Sequence, residues 1–339
     1  MEHRDYMQRC LQLAANGLGQ AAPNPMVGCV IVHDGKIIGE GWHHRYGEAH
    51  AEINAIESVA DKSLLKNAVV YVSLEPCAHQ GKTPPCALRL VDEKVRKVVV
   101  GCLDPNPLVA GKGVEILRSA GIEVVTGVLE EECRELNKRF ITWHEKQRPY
   151  IILKWAETKD GFMAGARKQI SGTLALTWVH RWRSEEQAFM VGTKTLLQDN
   201  PMMNVRHWKG DDPVRIAVDG KLVSEGKGLH FYDQSQTTII LNTIKDEELG
   251  RVSYVKIPNT SCQSIIHALY QKNIQSVVIE GGAHFLQSFI YDSHFDEIRV
   301  FTSTQVTFGA GTPSPVFSAE KVSVSDLETD ILTIYRPLQ

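Results

Sequence analysis

Hydrophobic residues in the first 146 positions follow two different spacings. In residues 4–18 and again in residues 50–60 they recur every three or four positions, which predicts two amphipathic helices. Around these helices lie short β-branched runs with the length of buried strands, at residues 27–32, 36–42, 68–74, 95–101 and 121–125. Asp34-Gly35 predicts a tight hairpin turn between the first two runs. Strands that alternate with helices predict an α/β fold, with a mixed or parallel sheet covered on both faces.

The rest of the chain repeats this alternation with its own strands and helices. Strand-like runs occupy residues 150–156, 214–218, 237–241 and 276–280, helical stretches occupy 173–186 and 283–290, and further strands are expected around 304–315. Residues 129–146 form a charged helical stretch, which we interpret as a solvent-exposed helix face. Pro149 and its neighbours break that pattern. We therefore predict two domains, 1–146 and 147–339.

Composition narrows the class of protein without identifying a reaction. A chain of 339 residues with 43% hydrophobic and 23% charged residues is long enough for two cores and typical of a globular protein. The formal net charge of −3 gives no general attraction to phosphate backbones, so we expect no nucleic-acid partner. We also expect no membrane association, because no apolar run reaches about 18 residues and Met1–Asp5 does not open a signal peptide.

The strongest chemical signal is His50-Ala51-Glu52, followed by Pro76-Cys77 and Cys86. One histidine and two cysteines supply three zinc ligands and leave the fourth position to water, as in a catalytic zinc site. No fourth cysteine or histidine stands in register for a structural site. Glu52 is not needed as a ligand and can transfer protons. This order of residues is the signature of zinc-dependent base deaminases, although a lone histidine with two buried cysteines is the simpler alternative.

The chemistry expected of this motif is hydrolytic deamination. Zinc lowers the pKa of a bound water from about 15.7 to about 7, and the resulting hydroxide attacks a ring carbon that carries an amine. Glu52 takes the water proton and passes protons to a ring nitrogen and to the departing ammonia. The seven cysteines form no visible disulfide framework. We therefore expect a reducing, cytoplasmic environment, with Cys77 and Cys86 on the metal.

Eight residues separate the two cysteines, and the loop ends Gly81-Lys82-Thr83-Pro84-Pro85. This long loop resembles that of the pyrimidine deaminases of riboflavin biosynthesis. The resemblance to that family covers about residues 1–145. The resemblance implies a cytidine-deaminase-like, three-layer α/β/α domain. It also implies that residues on several loops bind the pyrimidine or its ribose phosphate, namely Asn24, His43, His79, Lys82 and Asn106. Ordinary turn, loop or solvated-charge roles remain the alternatives for Asn24, His43 and Lys82.

The second half contains Val191-Gly192, Thr195, Asp199-Asn200-Pro201 and Arg206 in that order. This pattern resembles the reductase half of the bifunctional riboflavin-biosynthesis enzymes, whose α/β fold is like that of dihydrofolate reductase. The resemblance implies NADPH as cofactor. It implies cofactor contacts by Glu157, Gln169, Thr195, Asp199, Gly281 and Gly282, and substrate contacts by Arg183, Met203, Arg206 and Glu280. A plain strand-to-helix turn is the alternative for the two glycines, and surface ion pairing for the charged residues.

Two neighbouring positions depart from the reductase pattern. Many members of that family carry a tryptophan where this chain has Gln169, and Arg167 stands where the pattern has a serine. Because of this difference, a second half that binds a nucleotide without catalysing a reaction stays an alternative. The sequence also leaves open the preference for NADPH over NADH and the transfer of an intermediate between the two sites.

Taken together, the residues and the resemblance predict a bifunctional enzyme. The first half would deaminate a diaminopyrimidinone ribosylamino phosphate, and the second would reduce the ribosyl side chain to ribityl with NADPH. The expected partner is therefore a small phosphorylated pyrimidine, and a homo-oligomer would form through the reductase domain. The alternatives are a deaminase with a non-catalytic nucleotide-binding half, a nucleoside or nucleic-acid deaminase, and a non-catalytic zinc-stabilised binding protein.

Overall fold

The computed structural model describes residues 2–78, 84–106, 109–165 and 169–338. The chain folds into two compact units, Met1–Gln147 and Arg148–Gln339, which we call the first and the second unit. Within the described residues, no helix combines the length and the apolar character needed to cross a bilayer.

The described residues of the first unit form one five-stranded sheet with helices on both faces. The helices are α1 (His3–Ala14), α2 (Ala51–Ser58), α3 (Cys86–Asp92), α4 (Lys112–Ser119), α5 (Glu130–Leu136) and α6 (Lys138–Lys146), and the strands are β1 (Gly28–His33), β2 (Lys36–Trp42), β3 (Val69–Leu74), β4 (Lys97–Cys102) and β5 (Glu123–Thr126). The strand order is β2-β1-β3-β4-β5. β3, β4 and β5 are parallel, whereas β1 is antiparallel to both of its neighbours. The mixed sheet is therefore confirmed.

Successive residues of each strand point to opposite faces of the sheet and pack into two separate cores. Ile31 and Val70 pack against α2, α3 and α4, whereas Val30 and Tyr71 pack against α1 and α5. This arrangement confirms the predicted three-layer α/β/α organisation. The hairpin turn is also confirmed, since Asp34 and Gly35 both have positive φ, at 47° and 75°, between β1 and β2.

The charged stretch 129–146 is two helices and not one. α5 and α6 meet at Asn137, whose φ of −97° and ψ of 20° leave the helical region. The buried Asn137 side chain explains the break. Its Oδ1 accepts from the Met26 N–H at 2.8 Å and its Nδ2 donates to the Met26 carbonyl at 2.9 Å. A long-range contact that the local pattern could not show thus interrupts the helix.

The described residues of the second unit form a ten-stranded sheet, a two-stranded sheet and four helices. The helices are α7 (Thr173–Glu185), α8 (Thr193–Asp199), α9 (Cys262–Gln271) and α10 (Ala283–Tyr291), and the strands are β6 (Tyr150–Glu157), β7 (Phe162–Ala164), β8 (Ala188–Gly192), β9 (Val214–Val218), β10 (Thr238–Asn242), β11 (Glu247–Leu249), β12 (Val252–Lys256), β13 (Ser276–Glu280), β14 (Glu297–Ser303), β15 (Thr312–Pro313), β16 (Glu320–Leu327) and β17 (Asp330–Arg336). The large sheet has the order β11-β12-β10-β9-β8-β13-β6-β14-β17-β16.

The centre of this sheet is parallel and buried on both faces. From β12 to β14 every neighbouring pair is parallel, and the two outer pairs at one end, β14–β17 and β17–β16, are antiparallel. α9 and α10 pack on one face through Ile265 and Phe289. α7 and α8 pack on the other through Val179 and Leu196. Parallel strands buried on both faces explain why β6 and β13 have almost continuous apolar sequences.

The strands expected around 304–315 lie mostly elsewhere. Only the short β15 falls in that range, and the main C-terminal strands are β14, β16 and β17. The backbone N–H groups of Phe308 and Gly309 donate to the Asp160 carboxylate, at 2.7–3.1 Å, and not to a strand. Gly309 also has a φ of 70°, which is outside the strand region. These backbone groups are therefore paired without forming a sheet.

α2 packs closely on β2 because two strand positions are glycines. A Cβ built on Gly41 would lie 2.3 Å from the Ala55 nitrogen and 2.7 Å from the Ala51 carbonyl oxygen. We therefore expect Gly41→Ala to push α2 off the sheet and to lower the free energy of unfolding of the first unit by about 1–3 kcal/mol. Denaturant unfolding measures the change, and Lys36→Ala, at an exposed position of β2, is the matched control. Equal stability of the two variants would contradict the packing described here.

Candidate active sites

Three secondary-structure elements bring His50, Cys77 and Cys86 together in the first unit. His50 is the N-cap of α2, with an extended backbone, Cys77 follows the end of β3, and Cys86 is the first residue of α3. The His50 Nδ1 lies 3.6 Å from the Cys77 Sγ and 3.4 Å from the Cys86 Sγ. All three ligand atoms are within 4.8 Å of one another, and this is the only such cluster found among the described residues.

The donor atoms of this cluster suit zinc. An imidazole nitrogen and two thiolate sulfurs are ligands that zinc prefers, and three of them leave one tetrahedral position open. The pKa of the Cys77 thiol is lowered to about 4, first by a hydrogen bond with the Cys86 side chain and then by one with His50. The Cys86 backbone N–H adds a further hydrogen bond to the Cys77 Sγ at 3.3 Å. These contacts favour the thiolate form that binds a metal.

Glu52 lies in the first turn of α2, beside the cluster but outside it. Its side chain is only 3% exposed. Burial, and then the negative charge of Cys77, raise the pKa of Glu52 to about 7. A carboxyl group with this pKa exchanges protons readily near neutral pH, which is the property required of a general acid and base.

Asn24 and His43 form a hydrogen-bonded pair next to this cluster. The His43 Nδ1 lies 3.0 Å from the Ala49 carbonyl oxygen, so this nitrogen carries the proton and donates it. The other ring nitrogen, Nε2, then accepts from the Asn24 Nδ2 at 3.1 Å. Burial lowers the pKa of His43, which favours this neutral form, and its ring packs edge-on against His50 at 5.5 Å. The pair therefore orients the Asn24 amide, and His43 itself is 2% exposed.

The other predicted pyrimidine contacts are less well defined. His79 and Lys82 lie outside the described residues. Asn106 is half-buried, and its backbone N–H donates to the Asp104 carboxylate at 2.8 Å. The roles of Asn106, His79 and Lys82 stay predictions.

Glu75 is a site-building residue that sequence reasoning did not single out. The buried Glu75 carboxylate accepts hydrogen bonds from four backbone N–H groups, at 2.9–3.2 Å. The donors are Asp104, Gly111, Gly113 and Val114. They lie on either side of Asn106, a predicted pyrimidine contact, so the side chain two positions before Cys77 fixes the backbone that flanks it. The available signal was a glutamate between an apolar strand and a proline.

In the second unit, a cavity of about 1230 Å³ opens beyond the carboxyl ends of the central parallel strands. Seven of the predicted cofactor and substrate residues line it: Gln169, Thr195, Asp199, Met203, Glu280, Gly281 and Gly282. Glu157, Arg183 and Arg206 are not among the lining residues, and their roles stay predictions. The Glu157 carboxylate accepts from the Trp155 indole at 2.9 Å and from the Thr302 hydroxyl at 3.0 Å.

Glu280 is the centre of a charged cluster at this cavity. Its carboxylate lies 3.5 Å from the Lys154 Nζ and 3.5 Å from an Arg183 guanidinium nitrogen. Burial raises the pKa of Glu280, but the two cations outweigh burial and the net pKa is lowered. The Oε1 atom is buried and faces the Lys154 Nζ at 3.5 Å without a hydrogen bond of good geometry among the described residues. The contact between Glu280 and Lys154 is therefore electrostatic.

Lys154 was also missed by sequence reasoning. It stands directly beside Glu280 in the parallel register of β6 and β13, and it lines the cavity. A visible signal was present, because Lys154 is a single charged residue within the apolar run Ile151–Ala156. Burying a lysine in such a strand costs free energy unless it is paired, which makes it a candidate for function.

The cavity also has features that suit a dinucleotide. Gly282 is the N-cap of α10, and its backbone N–H donates to the Thr195 hydroxyl at 3.1 Å. A Cβ built on Gly282 meets only that hydroxyl, at 3.9 Å, so the backbone here faces open space. Free N–H groups at a helix start and an uncovered glycine backbone are suited to a phosphate.

Two family descriptions match the chain and agree with this geometry. Residues 1–102 match the cytidine and deoxycytidylate deaminase zinc-binding region, and residues 149–334 match the RibD C-terminal domain. The fold and the two sites thus define a bifunctional enzyme that joins a zinc-dependent deaminase to a reductase. Its cofactors are Zn²⁺ and NADPH.

Known relatives specify the family. The riboflavin biosynthesis protein RibD of Aquifex aeolicus (strain VF5) is 39% identical over 312 residues, which cover 89% of this chain and 87% of the relative. RibD of Bacillus amyloliquefaciens is 37% identical over 335 residues, covering 95% of this chain and 90% of the relative. The chain belongs to the RibD family of riboflavin biosynthesis proteins, and the predicted deaminase and reductase functions are confirmed.

Solved structures show the same architecture over the full length. A diaminohydroxyphosphoribosylaminopyrimidine deaminase/5-amino-6-(5-phosphoribosylamino)uracil reductase from Thermotoga maritima is 38% identical, with a TM-score of 0.91 and 99% of each chain covered. RibD of Acinetobacter baumannii is 32% identical, with a TM-score of 0.89 and the same coverage. The predicted fold class is therefore confirmed for both halves.

The four hydrogen bonds to Glu75 lead to a testable expectation. Glu75→Gln keeps the size of the side chain but replaces one acceptor oxygen by an NH₂ group, which faces backbone donors. We expect a loss of about 2–3 kcal/mol in the free energy of unfolding of the first unit and a raised KM for deamination. Denaturant unfolding and steady-state kinetics measure the two effects. Glu115→Gln, at an exposed position of α4, is the matched control, and a Glu75→Gln protein that behaves like this control would refute the role described.

Proposed function

We propose that this enzyme acts on the two compounds named for its Thermotoga maritima relative. The first half would remove an amine hydrolytically from the diaminopyrimidine ribosylamino phosphate. The second would then reduce the ribosyl chain of the aminouracil product to a ribityl chain. The observation that carries the deaminase half is the buried Glu52 beside the His50, Cys77 and Cys86 ligand atoms. The division into 1–146 and 147–339 is part of the same proposal, and the compact units support it.

In the deaminase site, each residue has a distinct role. His50, Cys77 and Cys86 would hold the zinc ion, which supplies Lewis-acid activation of water at neutral pH. Glu52 would accept a proton from the attacking water and would deliver protons to the ring nitrogen and the leaving amine. The Asn24 amide, held by His43, presents its carbonyl oxygen to the pyrimidine. This role is supported by the hydrogen bond from the Asn24 Nδ2 to the His43 Nε2, which leaves Oδ1 available.

In the reductase site, the proposed contacts separate into a cofactor group and a substrate group, and all of them except Arg183 and Arg206 line the cavity. Thr195, Asp199, Gly281 and Gly282 would hold NADPH, which supplies the hydride. Glu280, Lys154 and Met203 would contact the substrate, and Arg183 and Arg206 would bind its phosphate because guanidinium groups form two parallel hydrogen bonds. Holding the opened sugar next to the nicotinamide lowers the barrier through proximity, without a covalent intermediate.

Gln169 is the residue on which the reductase activity of the second half depends most directly. Gln169 lines the cavity, and its Nε2 donates to the Ser171 carbonyl at 3.3 Å, so the side chain is held locally. We propose that Gln169 replaces the stacking contact of a tryptophan with a polar contact to the cofactor, and that reduction proceeds. The alternative is a second half that binds nucleotide without hydride transfer.

The proposal includes the partners and the location. We propose no nucleic acid as a main partner, because the net charge of −3 gives no general attraction to phosphate backbones. A homo-oligomer would form through the reductase domain, and the edge strand β16 supports this because its Val322 and Val324 are exposed on an unpaired strand edge. None of the seven cysteines forms a disulfide, which supports a cytoplasmic location.

The central experiment is product mass. Purified protein is incubated with the diaminopyrimidine ribosylamino phosphate, with and without NADPH. We expect the deaminated product without NADPH and the ribityl product with it. Deaminated product in both reactions would refute the reductase half and favour the binding alternative. No conversion in either reaction, with zinc shown to be bound, would refute the substrate assignment, and cytidine and an oligonucleotide are then the compounds to test.

The proton-transfer role of Glu52 predicts that one substitution greatly lowers deamination but leaves zinc binding intact. Glu52→Gln keeps the size of the side chain, so we expect zinc content to be retained while deamination falls at least about 100-fold. Zinc is measured by atomic emission and deamination by ammonia release. Glu57→Gln, on the exposed side of the same helix, is the control. A Glu52→Gln protein that deaminates as fast as the control would refute the proton-transfer role of Glu52 and indicate a different proton carrier.

A further inference from the structure

The segment Met203–Arg206 in the reductase half is held at every residue. The Met203 carbonyl accepts from the Gln236 side chain at 3.2 Å, and the Asn204 carbonyl accepts from Arg183 at 3.2 Å. The Val205 N–H donates to the Asp212 carboxylate at 2.6 Å. The Met203 φ of 54° is in the left-handed region, which a methionine adopts only when its surroundings impose it. The segment is therefore preorganised.

His180 holds the last residue of this segment. The His180 Nδ1 accepts from the Arg206 backbone N–H at 3.1 Å. His180 and Arg183 are three positions apart on α7, so they point from one face of that helix toward the same segment. His180 is 2% exposed. A buried side chain of α7 thus determines where the backbone of Arg206 lies.

The protonation state of His180 is determined by its surroundings. Because Nδ1 accepts from a backbone N–H, the single proton of the neutral ring must lie on Nε2. Burial, and then the charges of Arg183 and Arg206, lower the pKa of His180 to about 4. The ring of His207 packs edge-on against it, with centroids 4.7 Å apart. His180 is therefore neutral near pH 7, with Nδ1 as the hydrogen-bond acceptor for the Arg206 backbone N–H.

Among the described residues, Arg206 lacks a partner of opposite charge. Its guanidinium donates to the Asn204 side-chain oxygen at 3.0 Å, and no carboxylate lies within ion-pair distance of it in the described part of the chain. Burial and the positive charge of Arg183 lower the pKa of Arg206. Two neighbouring guanidinium groups repel each other, and a bound anion relieves that repulsion.

We propose that His180 is a positioning residue of the reductase, which places Arg206 to bind the phosphate group of the substrate. This inference rests on the proposed function, in which Arg183 and Arg206 contact that phosphate. His180 does not touch the substrate, and it acts through the backbone of Arg206. Without the acceptor on His180, the Arg206 N–H would be left unpaired and the segment would move.

Two substitutions separate the acceptor role from simple packing. His180→Leu keeps much of the volume and removes the acceptor. His180→Asn places an amide oxygen the same number of bonds from the backbone as Nδ1, so it can still accept from Arg206. We expect His180→Leu to weaken binding of the phosphorylated deaminated substrate about tenfold, as expected for one lost hydrogen bond with an unpaired donor. His180→Asn is expected to stay within about threefold of the unsubstituted enzyme.

The measurement is equilibrium binding of the deaminated substrate by calorimetry, with and without its phosphate, followed by KM and kcat with NADPH. We expect His180→Leu to raise KM, to leave kcat within about twofold, and to have no effect on binding of the dephosphorylated compound. In an Arg206→Ala background, His180→Leu should cause no further loss. His267→Leu, at an exposed histidine of α9, is the control, and thermal unfolding monitors folding.

Each contrary result contradicts a specific part of the His180 proposal or of the proposed reduction. Equal losses for the Leu and Asn variants, or a loss that persists on the dephosphorylated compound, would show that His180 has only a packing role. A fall in kcat with unchanged KM would place His180 in the chemical step and reject the positioning role. If the unsubstituted enzyme binds the phosphorylated compound without reducing it, the proposed reduction fails while the His180 comparison still stands. If it does not bind that compound, both fail.

Discussion

Both sites depend on the same constraint, which is that buried parallel strands leave their polar ends at one edge of the sheet. A strand such as β3 or β13 is surrounded by helices, so its side chains are almost all apolar until it emerges. The first polar positions beyond it then meet the amino ends of the helices that follow. Cys77 and Cys86 come together in this way after β3, and Glu280, Gly281 and Gly282 do so after β13. The functional residues therefore lie at the carboxyl ends of the strands, because the buried parts of the strands accept almost only apolar side chains.

Three glutamates of the two sites show how the same side chain serves different purposes. Glu52 is buried beside a thiolate and its pKa rises to about 7, so it can exchange protons. Glu280 is half-buried between two cations and its pKa falls, so it remains a charged acceptor. Glu75 is surrounded by backbone N–H groups and serves as a structural acceptor. The partners of each carboxylate, and not the residue type, decide its role.

The reductase half relies on supporting residues as much as on contacting ones. Arg183 pairs with Glu280 and also donates to the carbonyl of Asn204, so one side chain connects the charged cluster to the segment that carries Arg206. His180 and Gln236 hold that segment from other directions. A binding group on a flexible side chain is effective only when its backbone is held in place. In this enzyme that task falls in part to His180 and Gln236, which do not line the cavity.

The residue pattern alone was sufficient to predict most elements and the deaminase chemistry. Periodicity located most helices and strands of both units, because burial on one face or on both leaves a direct mark on the pattern. The order His50, Glu52, Cys77, Cys86 identified the zinc site, because a catalytic zinc requires those ligand types with an open position. The pattern did not predict the break at Asn137, the position of the C-terminal strands or the paired role of Asn24 and His43.

Which polar residues meet depends on the tertiary fold. Glu75 and Gly113, Lys154 and Glu280, and His180 and Arg206 are each distant in sequence and adjacent in space. No local pattern marks such a pair, since each partner alone is compatible with a solvated loop or an isolated buried charge. Hydrogen bonds and ion pairs act over a few ångströms, and the folded backbone sets those distances. The reacting residues could therefore be found in the sequence, whereas the residues that hold them required the fold.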